Sequence, residues 1–181
     1  MNDRQTELVA LLDQFGPGLH ALLTRLTLRE EVAEELMQEL FLKLHGAKDQ
    51  GRIECWYAYA RRTAINLAFD WRRRQAIRRT CSLDALSERA SETDGPLGRL
   101  IASEELEQVL GAVGRLHGAS REVFVMRYIQ QSSYEEIAEQ IGKTVHQVRA
   151  LCFRAMSTLR AGLGCVSSPT DGKEVQHVTD E

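Results

Sequence analysis

Between Lys143 and Leu163 the chain carries four cations, Lys143, Arg149, Arg154 and Arg160, and no acid. Thr144, His146 and Gln147 lie in the same stretch, so ammonium, guanidinium, amide and hydroxyl donors are gathered within three helical turns. These are the groups that phosphate oxygens and the base edges of a DNA groove accept. Helical spacing puts Thr144, His146, Gln147, Arg149, Ala150 and Arg154 on one side. Val145, Val148, Cys152, Ala155 and Leu159 fall on the other side, as an inward stripe. A second basic cluster lies upstream, where Trp56, Tyr57 and Tyr59 precede Arg61, Arg62, Arg72, Arg73 and Arg74. Aromatic rings beside guanidinium groups hold unpaired bases, at about 1–3 kcal/mol per stacked base. The same rings also read as core: Trp71 falls on the inward face, and for Trp56 and Tyr57 both readings stand.

The elements that must position these groups are legible from their ends. Ser133 with Glu136 forms a capping box that starts a helix at Tyr134. Gly142 ends that helix, because glycine accepts positive φ without steric cost. Thr144 with Gln147 forms a second capping box. Ala138 and Gly142, four apart, leave room for the helices to cross. The result matches a helix-turn-helix in spacing and residue type, and its turn chemistry argues against an ordinary hairpin with a solvated face.

Charge is segregated along the rest of the chain. Residues 1–45 hold eight acids against four bases, and residues 46–80 hold nine bases against three acids, although the whole chain has a net charge of only −3. Such segregation points to partners of opposite sign. Thr27 with Glu30 predicts a capping box opening a helix whose stripe is Val32, Leu36, Leu40 and Leu44, reinforced by Met37 and Phe41. The glutamates lie mainly off that stripe and also read as a solvated face with favourable N-terminal charge. Before it, Leu8–Leu28 is helical in pattern, with a break or bend expected at Gly16-Pro17-Gly18. GAKDQGRIE reads as a polar loop, and CWYAYARRTAINLAFDWRRRQAIRR as a long helix. Residues 80–100 read as a linker, helical patterning resumes at Ile101–Leu116 and Ser120–Ile129, and the tail 165–181 reads as disordered.

The 181 residues contain three prolines and are 43% hydrophobic and 6% aromatic, which favours an all-α chain. No run of about 18 apolar residues exists, so no membrane span is expected, and the start lacks the pattern of a secretion signal. Cys55, Cys81, Cys152 and Cys165 form no CxxC pair and read as free thiols, with Cys152 in a helix core. No metal site and no cofactor is expected. His20, His45, His117, His146 and His177 are isolated and no nucleophile–base spacing appears, which argues against an enzyme.

Three segments then resemble one family in the right order. ELMQELFLKL resembles the polymerase-binding helix of bacterial sigma factors, and ARRTAINLAFDWRRR the promoter-melting helix. LHGASREVFVMRYIQQSSYEEIAEQIGKTVHQVRALCFRAMSTLR resembles their C-terminal DNA-binding domain. Short length and the absence of other modules make the chain similar to the extracytoplasmic-function (ECF, group four) sigma factors, across roughly residues 8–163.

The resemblance implies an all-α protein of two small helical domains joined by a flexible linker, the second a helix-turn-helix. Its bounds are 1–79 for core binding and the minus-ten element, 80–100 for the linker and 101–164 for the minus-thirty-five element. It implies that Glu34, Glu35, Gln38, Glu39, Phe41 and Leu42 meet the clamp helices of the largest subunit of core RNA polymerase, with the flap of the second-largest subunit a further partner. Lys48, Arg52, Trp56, Tyr57, Arg61, Arg62 and Asn66 would hold the melted minus-ten strand, and Arg72, Arg73 and Arg74 its phosphates. Lys143, Thr144, His146, Gln147, Arg149, Ala150 and Arg154 would read the minus-thirty-five element. The resemblance implies cytoplasmic location, promoter DNA as partner, control by an anti-sigma factor as an open question, and no covalent chemistry. In three places the sequence departs from the family pattern: Ile65 stands where an arginine often precedes Asn66, Leu151 where the recognition helix often has arginine, and Lys143 at an apolar turn position. The rival reading is a stand-alone helix-turn-helix regulator, which would have no use for the acidic helix.

Overall fold

The computed structural model describes residues 3–47, 53, 55–81 and 96–164. Within them the chain is helical: α1 (Asp3–Thr27), α2 (Glu30–Gly46), α3 (Trp56–Cys81), α4 (Pro96–Gly114), α5 (Gly118–Phe124), a π-helical turn (Val125–Ile129), α6 (Tyr134–Ile141) and α7 (Val145–Gly162). Helices α1, α2 and α3 pack on one another, and α5, α6 and α7 form a second group.

Helix α1 runs unbroken through Pro17, so of the break or bend expected there the break does not occur. A proline in a helix interior costs about 3 kcal/mol. Leu19, Leu22, Leu23 and Leu26 of the same helix are buried, and each buried leucine contributes roughly 1.5–3 kcal/mol. Packing therefore wins over local preference.

The capping box expected at Thr27 and Glu30 does not form. Thr27 stays in the last turn of α1, its hydroxyl 2.8 Å from the carbonyl oxygen of Leu23. Leu28 takes the turn at φ 60°, and α2 begins with Arg29 at its N-cap without a side-chain cap. The same hydroxyl oxygen lies 3.0 Å from the Arg29 carbonyl and accepts from the Arg29 amide at 3.4 Å, so it spans the turn and does not reach the first amides of α2. The stripe of α2 is Ala33, Leu36, Leu40 and Leu44, with Val32 and Met37 half-buried against it. Phe41, expected to reinforce it, is exposed.

The stretch 80–100 is helical at both ends, since α3 reaches Cys81 and α4 starts at Pro96. A proline in the first turn loses no intrahelical bond, because that N–H has no partner in any helix. The middle of this stretch, residues 82–95, and the tail 165–181 lie outside the described residues.

The segment expected to be one helix over Ser120–Ile129 is α5 followed by the π turn, whose closing bond runs from the amide of Gln130 to the carbonyl of Val125 at 3.0 Å. The last two helices match the reading of their ends. Ser133 Oγ accepts from the amide of Glu136 at 3.1 Å, and the Glu136 carboxylate accepts from the amide of Ser133 at 2.8 Å. Thr144 and Gln147 do the same at 3.3 and 3.0 Å. Gly142 sits at φ 64° in the left-handed region. A Cβ there would meet nothing within 4 Å, so its role is conformational and not the close helix crossing that its spacing from Ala138 suggested.

One large core crosses from the first group to the second. Leu19, Leu23, Leu40, Ala64, Ile65 and Phe69 belong to the same buried cluster as Leu110, Val113, Leu116, Phe124 and Leu159. A smaller cluster of Val123, Met126, Ile137, Ala138, Val148 and Cys152 holds the helix-turn-helix together.

Candidate nucleic-acid interface

The start of α7 presents its polar side to solvent. Lys143, Thr144, His146, Gln147, Arg149 and Arg154 are exposed and Ala150 is half-buried. Val148, Cys152, Ala155 and Leu159 are buried beneath them, as their spacing predicts. Burial pushes the Cys152 thiol pKa up, with the cation of Arg127 working against it. Arg149 is aimed by the preceding helix: its guanidinium lies 5.3 Å from the ring centroid of Tyr134 and 4.0 Å from the carboxylate of Glu135. Arg154 donates to the carbonyl of Ala150 at 3.3 Å. Leu151 packs against the helix-turn-helix core, so the position where an arginine is common turns inward here. Phe153, which the sequence reading passed over, is 74% exposed. It lies three and four residues beyond Ala150 and Arg149, hence on their face, a spacing that could have found it.

On α2, Glu34, Glu35, Gln38, Phe41 and Leu42 are exposed and Glu39 half-buried. Phe41 stacks on His45 at 6.3 Å, and Glu39 pairs with Lys43 at 3.7 Å. Acid, amide and apolar side chains thus share one outward surface, away from the buried stripe.

The basic helix α3 divides into free and engaged groups. Arg62, Asn66, Arg73 and Arg74 are exposed, with Arg73 paired to Asp70 at 3.1 Å. Trp56 and Tyr57 are half-buried against the core. Tyr57 lies between Phe15, at 4.4 Å between ring centroids, and Arg61, at 5.5 Å. Trp71 also packs inward, as its position on the helix implied. Arg61 and Arg72 depart from the expected free basic face. Arg61 is wholly buried, 3.5 Å from the carboxylate of Glu122 and bonded to the carboxamide of Gln140. The Arg72 guanidinium donates to the Glu107 carboxylate at 2.6 Å and to the carbonyl of Leu26 at 3.2 Å. Both are covered because α4, α5 and α6 lie across α3. Lys48 and Arg52 lie outside the described residues.

Beside these pairs a cleft of about 480 Å³ opens between α3 and α4, lined by Arg72, Arg73, Arg115 and Arg121 with Asp70 and Glu107. Burial, aided by repulsion from Arg73 and opposed by Asp70, lowers the pKa of Arg121. Its guanidinium lies over the ring of Phe69 at 5.3 Å. Among the described residues no group of histidine, cysteine or carboxylate side chains could hold a metal ion.

Sigma-70 region 2 matches residues 11–78 and sigma-70 region 4 matches residues 106–159. RNA polymerase sigma factor YlaC of Bacillus subtilis is 31% identical over 151 residues, covering 78% of this chain and 83% of that protein. The ECF RNA polymerase sigma-E factor of Escherichia coli K12 is 31% identical over 134 residues, covering 69% of this chain and 70% of that protein. The chain belongs to the ECF sigma factors. Among solved structures, the sigma factor RpoE of Bartonella quintana, in complex with the anti-sigma factor NepR, aligns over 92% of this chain and all of that one at 21% identity and a TM-score of 0.49. A sigma factor directs RNA polymerase to promoters in transcription initiation. The stand-alone regulator is set aside, because region 2 occupies the first three helices of this sigma factor. No helix among its described residues is long and apolar enough to cross a membrane.

Proposed function

We propose that this sigma factor divides its work between residues 1–79, which bind core polymerase and open the minus-ten element, and residues 101–164, which read the minus-thirty-five element, with 80–100 as the connection. The observation that carries this reading is the exposed acidic and apolar surface of α2, followed in the chain by the basic helix α3. Glu34, Glu35, Gln38, Glu39, Phe41 and Leu42 dock on the clamp helices of the largest subunit. Phe41 and Leu42 supply the apolar centre that a stable protein contact needs, and the carboxylates supply orientation and approach rate. Arg62, Asn66, Arg73 and Arg74 face the opened strand, with Lys48, Arg52, Trp56 and Tyr57 near its flipped base. Arg149, Arg154, Gln147 and His146 read the upstream duplex, Lys143 and Thr144 hold its backbone, and Ala150 with Phe153 meets thymine methyl groups, apolar partners in the major groove. The sigma factor works in the cytoplasm with promoter DNA and core polymerase, including the flap of the second-largest subunit. An anti-sigma factor is a fitting regulator of the same surfaces. Phosphodiester chemistry belongs to the polymerase, so this chain is an initiation factor and not an enzyme.

Reconstituted transcription with core polymerase and a genomic DNA library tests the role and yields the promoter sequence. Glu34→Lys together with Glu35→Lys is expected to abolish core binding while helicity stays intact. Unchanged core affinity would remove the docking role of α2.

A further inference from the structure

We propose that the cleft between α3 and α4 is a site for a small phosphomonoester carrying a flat ring, a mononucleotide in kind. Arg72, Arg73, Arg115 and Arg121 line it, together with the carboxylates of Asp70 and Glu107. Both carboxylates are already engaged. Glu107 lies 2.6 Å from the Arg72 guanidinium, and Asp70 lies 3.1 Å from that of Arg73. Among the described residues Arg115 and Arg121 have no carboxylate within ion-pair distance. Four guanidiniums against two carboxylates leave two positive charges in excess. A phosphomonoester carries about 1.5 to 2 negative charges at neutral pH, whereas a phosphodiester within a strand carries about one. The monoester is the better match.

The cations converge from separate elements: Arg73 from α3, Arg115 from the residue after α4, and Arg121 from α5. Arg121 lies over the ring of Phe69 at 5.3 Å, and its Nε is buried without a hydrogen-bond partner. A guanidinium over a ring face keeps the N–H donors at its edge for other acceptors. Burial lowers its pKa, with Asp70 working against this and Arg73 adding to it, so an anion beside it opposes the repulsion from Arg73. Trp71 supplies the apolar wall, since it packs half-buried against the core and also borders the cleft. The flat rings of bases stack on such a side chain. Gln75 and Gln108 add amide donors and acceptors for the edge of that ring. The volume of about 480 Å³ falls within the range of small-molecule sites, about 300–1,000 Å³.

Calorimetric titration of the full chain with adenosine monophosphate tests the site. The expected result is a single saturable site, with inorganic phosphate and adenosine each binding more weakly. Fluorescence of Trp71, read in a Trp56→Phe chain, is expected to change over the same concentrations. Arg115→Gln and Arg121→Gln are each expected to weaken binding roughly tenfold or more, as the loss of a charge-assisted hydrogen bond does. Arg78 is exposed on α3 outside the cleft, and Arg78→Gln is expected to leave binding unchanged. Should Arg121→Gln lose helicity by circular dichroism, because Arg121 also packs on Phe69, the exposed Arg115 carries the test. Titration without saturation, undiminished binding by Arg115→Gln, an equal loss with Arg78→Gln, or a silent Trp71 each overturns the proposal. So does a phosphodiester dinucleotide that binds as tightly as the monophosphate, which would give the excess charge to strand DNA instead.

Discussion

Arg149 shows how much one side chain owes to its neighbours. Tyr134 and Glu135 hold it from the adjoining helix, so its guanidinium is already directed before DNA arrives. Arg149→Ala is expected to cost roughly 1–3 kcal/mol on the preferred upstream element and to relax preference at one base pair, as such bidentate contacts do. A binding titration across single-base variants of that element checks it. Phe153→Ala is expected to weaken binding chiefly where thymine keeps its methyl group, and to have little effect where uracil replaces it, read in the same assay. Cys152 carries a different expectation. Its raised pKa means the folded state holds the thiol proton more firmly than the unfolded chain. That contribution is present below the ordinary thiol pKa of about 8.5 and is lost as pH rises beyond it. Tyr128, whose pKa burial also raises, acts in the same direction at higher pH. Urea midpoints should therefore fall between pH 8 and 10, and fall less for Cys152→Ala. At this scale the sequence spoke unevenly. Residue types and helical phase named the exposed polar face of α7, but no local signal told that Arg61 and Arg72 would be roofed by helices far along the chain.

Elements were legible where their ends carry side-chain chemistry. Both capping boxes of the helix-turn-helix form because Ser133 and Thr144 sit in extended backbone with a glutamate or glutamine three residues on. Thr27 and Glu30 have the same spacing, yet Thr27 is claimed by the end of α1, and sequence alone does not reveal which helix owns a hydroxyl. Pro17 misleads for the complementary reason: local rules assign it a break, and the buried leucines around it are satisfied only if the helix continues. Thr144→Ala removes an acceptor for the amide of Gln147 and is expected to cost about 1 kcal/mol of stability. Upstream-element affinity should drop with it, because the first turn of α7 would fray where Gln147 and His146 must be placed. Thermal melting and a duplex binding assay report the two effects separately. Gly142→Ala is expected to cost about 1–2 kcal/mol, the penalty of left-handed backbone for a side chain, measured by urea unfolding.

Among the described residues one large hydrophobic core runs from the first three helices to the last, with a smaller one inside the helix-turn-helix. Segregated charge pointed to partners of opposite sign, but nothing in composition announced that arginines of α3 would be covered by the C-terminal helices. That surprise follows from long-range packing: Phe69 meets Gly114, and Leu159 joins the core of Leu40. Gly114→Leu is expected to force α4 off α3, lowering amide-exchange protection in both helices while the capping boxes of α6 and α7 remain intact. Hydrogen exchange by mass spectrometry resolves the difference.

The π turn at Val125–Ile129 has a developmental consequence for the lineage of this chain. Such a turn holds one residue more than an α-helix needs to close its bond. Deleting a single codon there would let the segment wind as ordinary helix with its flanking faces still in phase, because the wide turn takes up the extra residue within one turn. Residues before and after the turn would then keep their buried partners, so this is one place where the length of the chain can change by one residue without re-aiming the helix-turn-helix behind it.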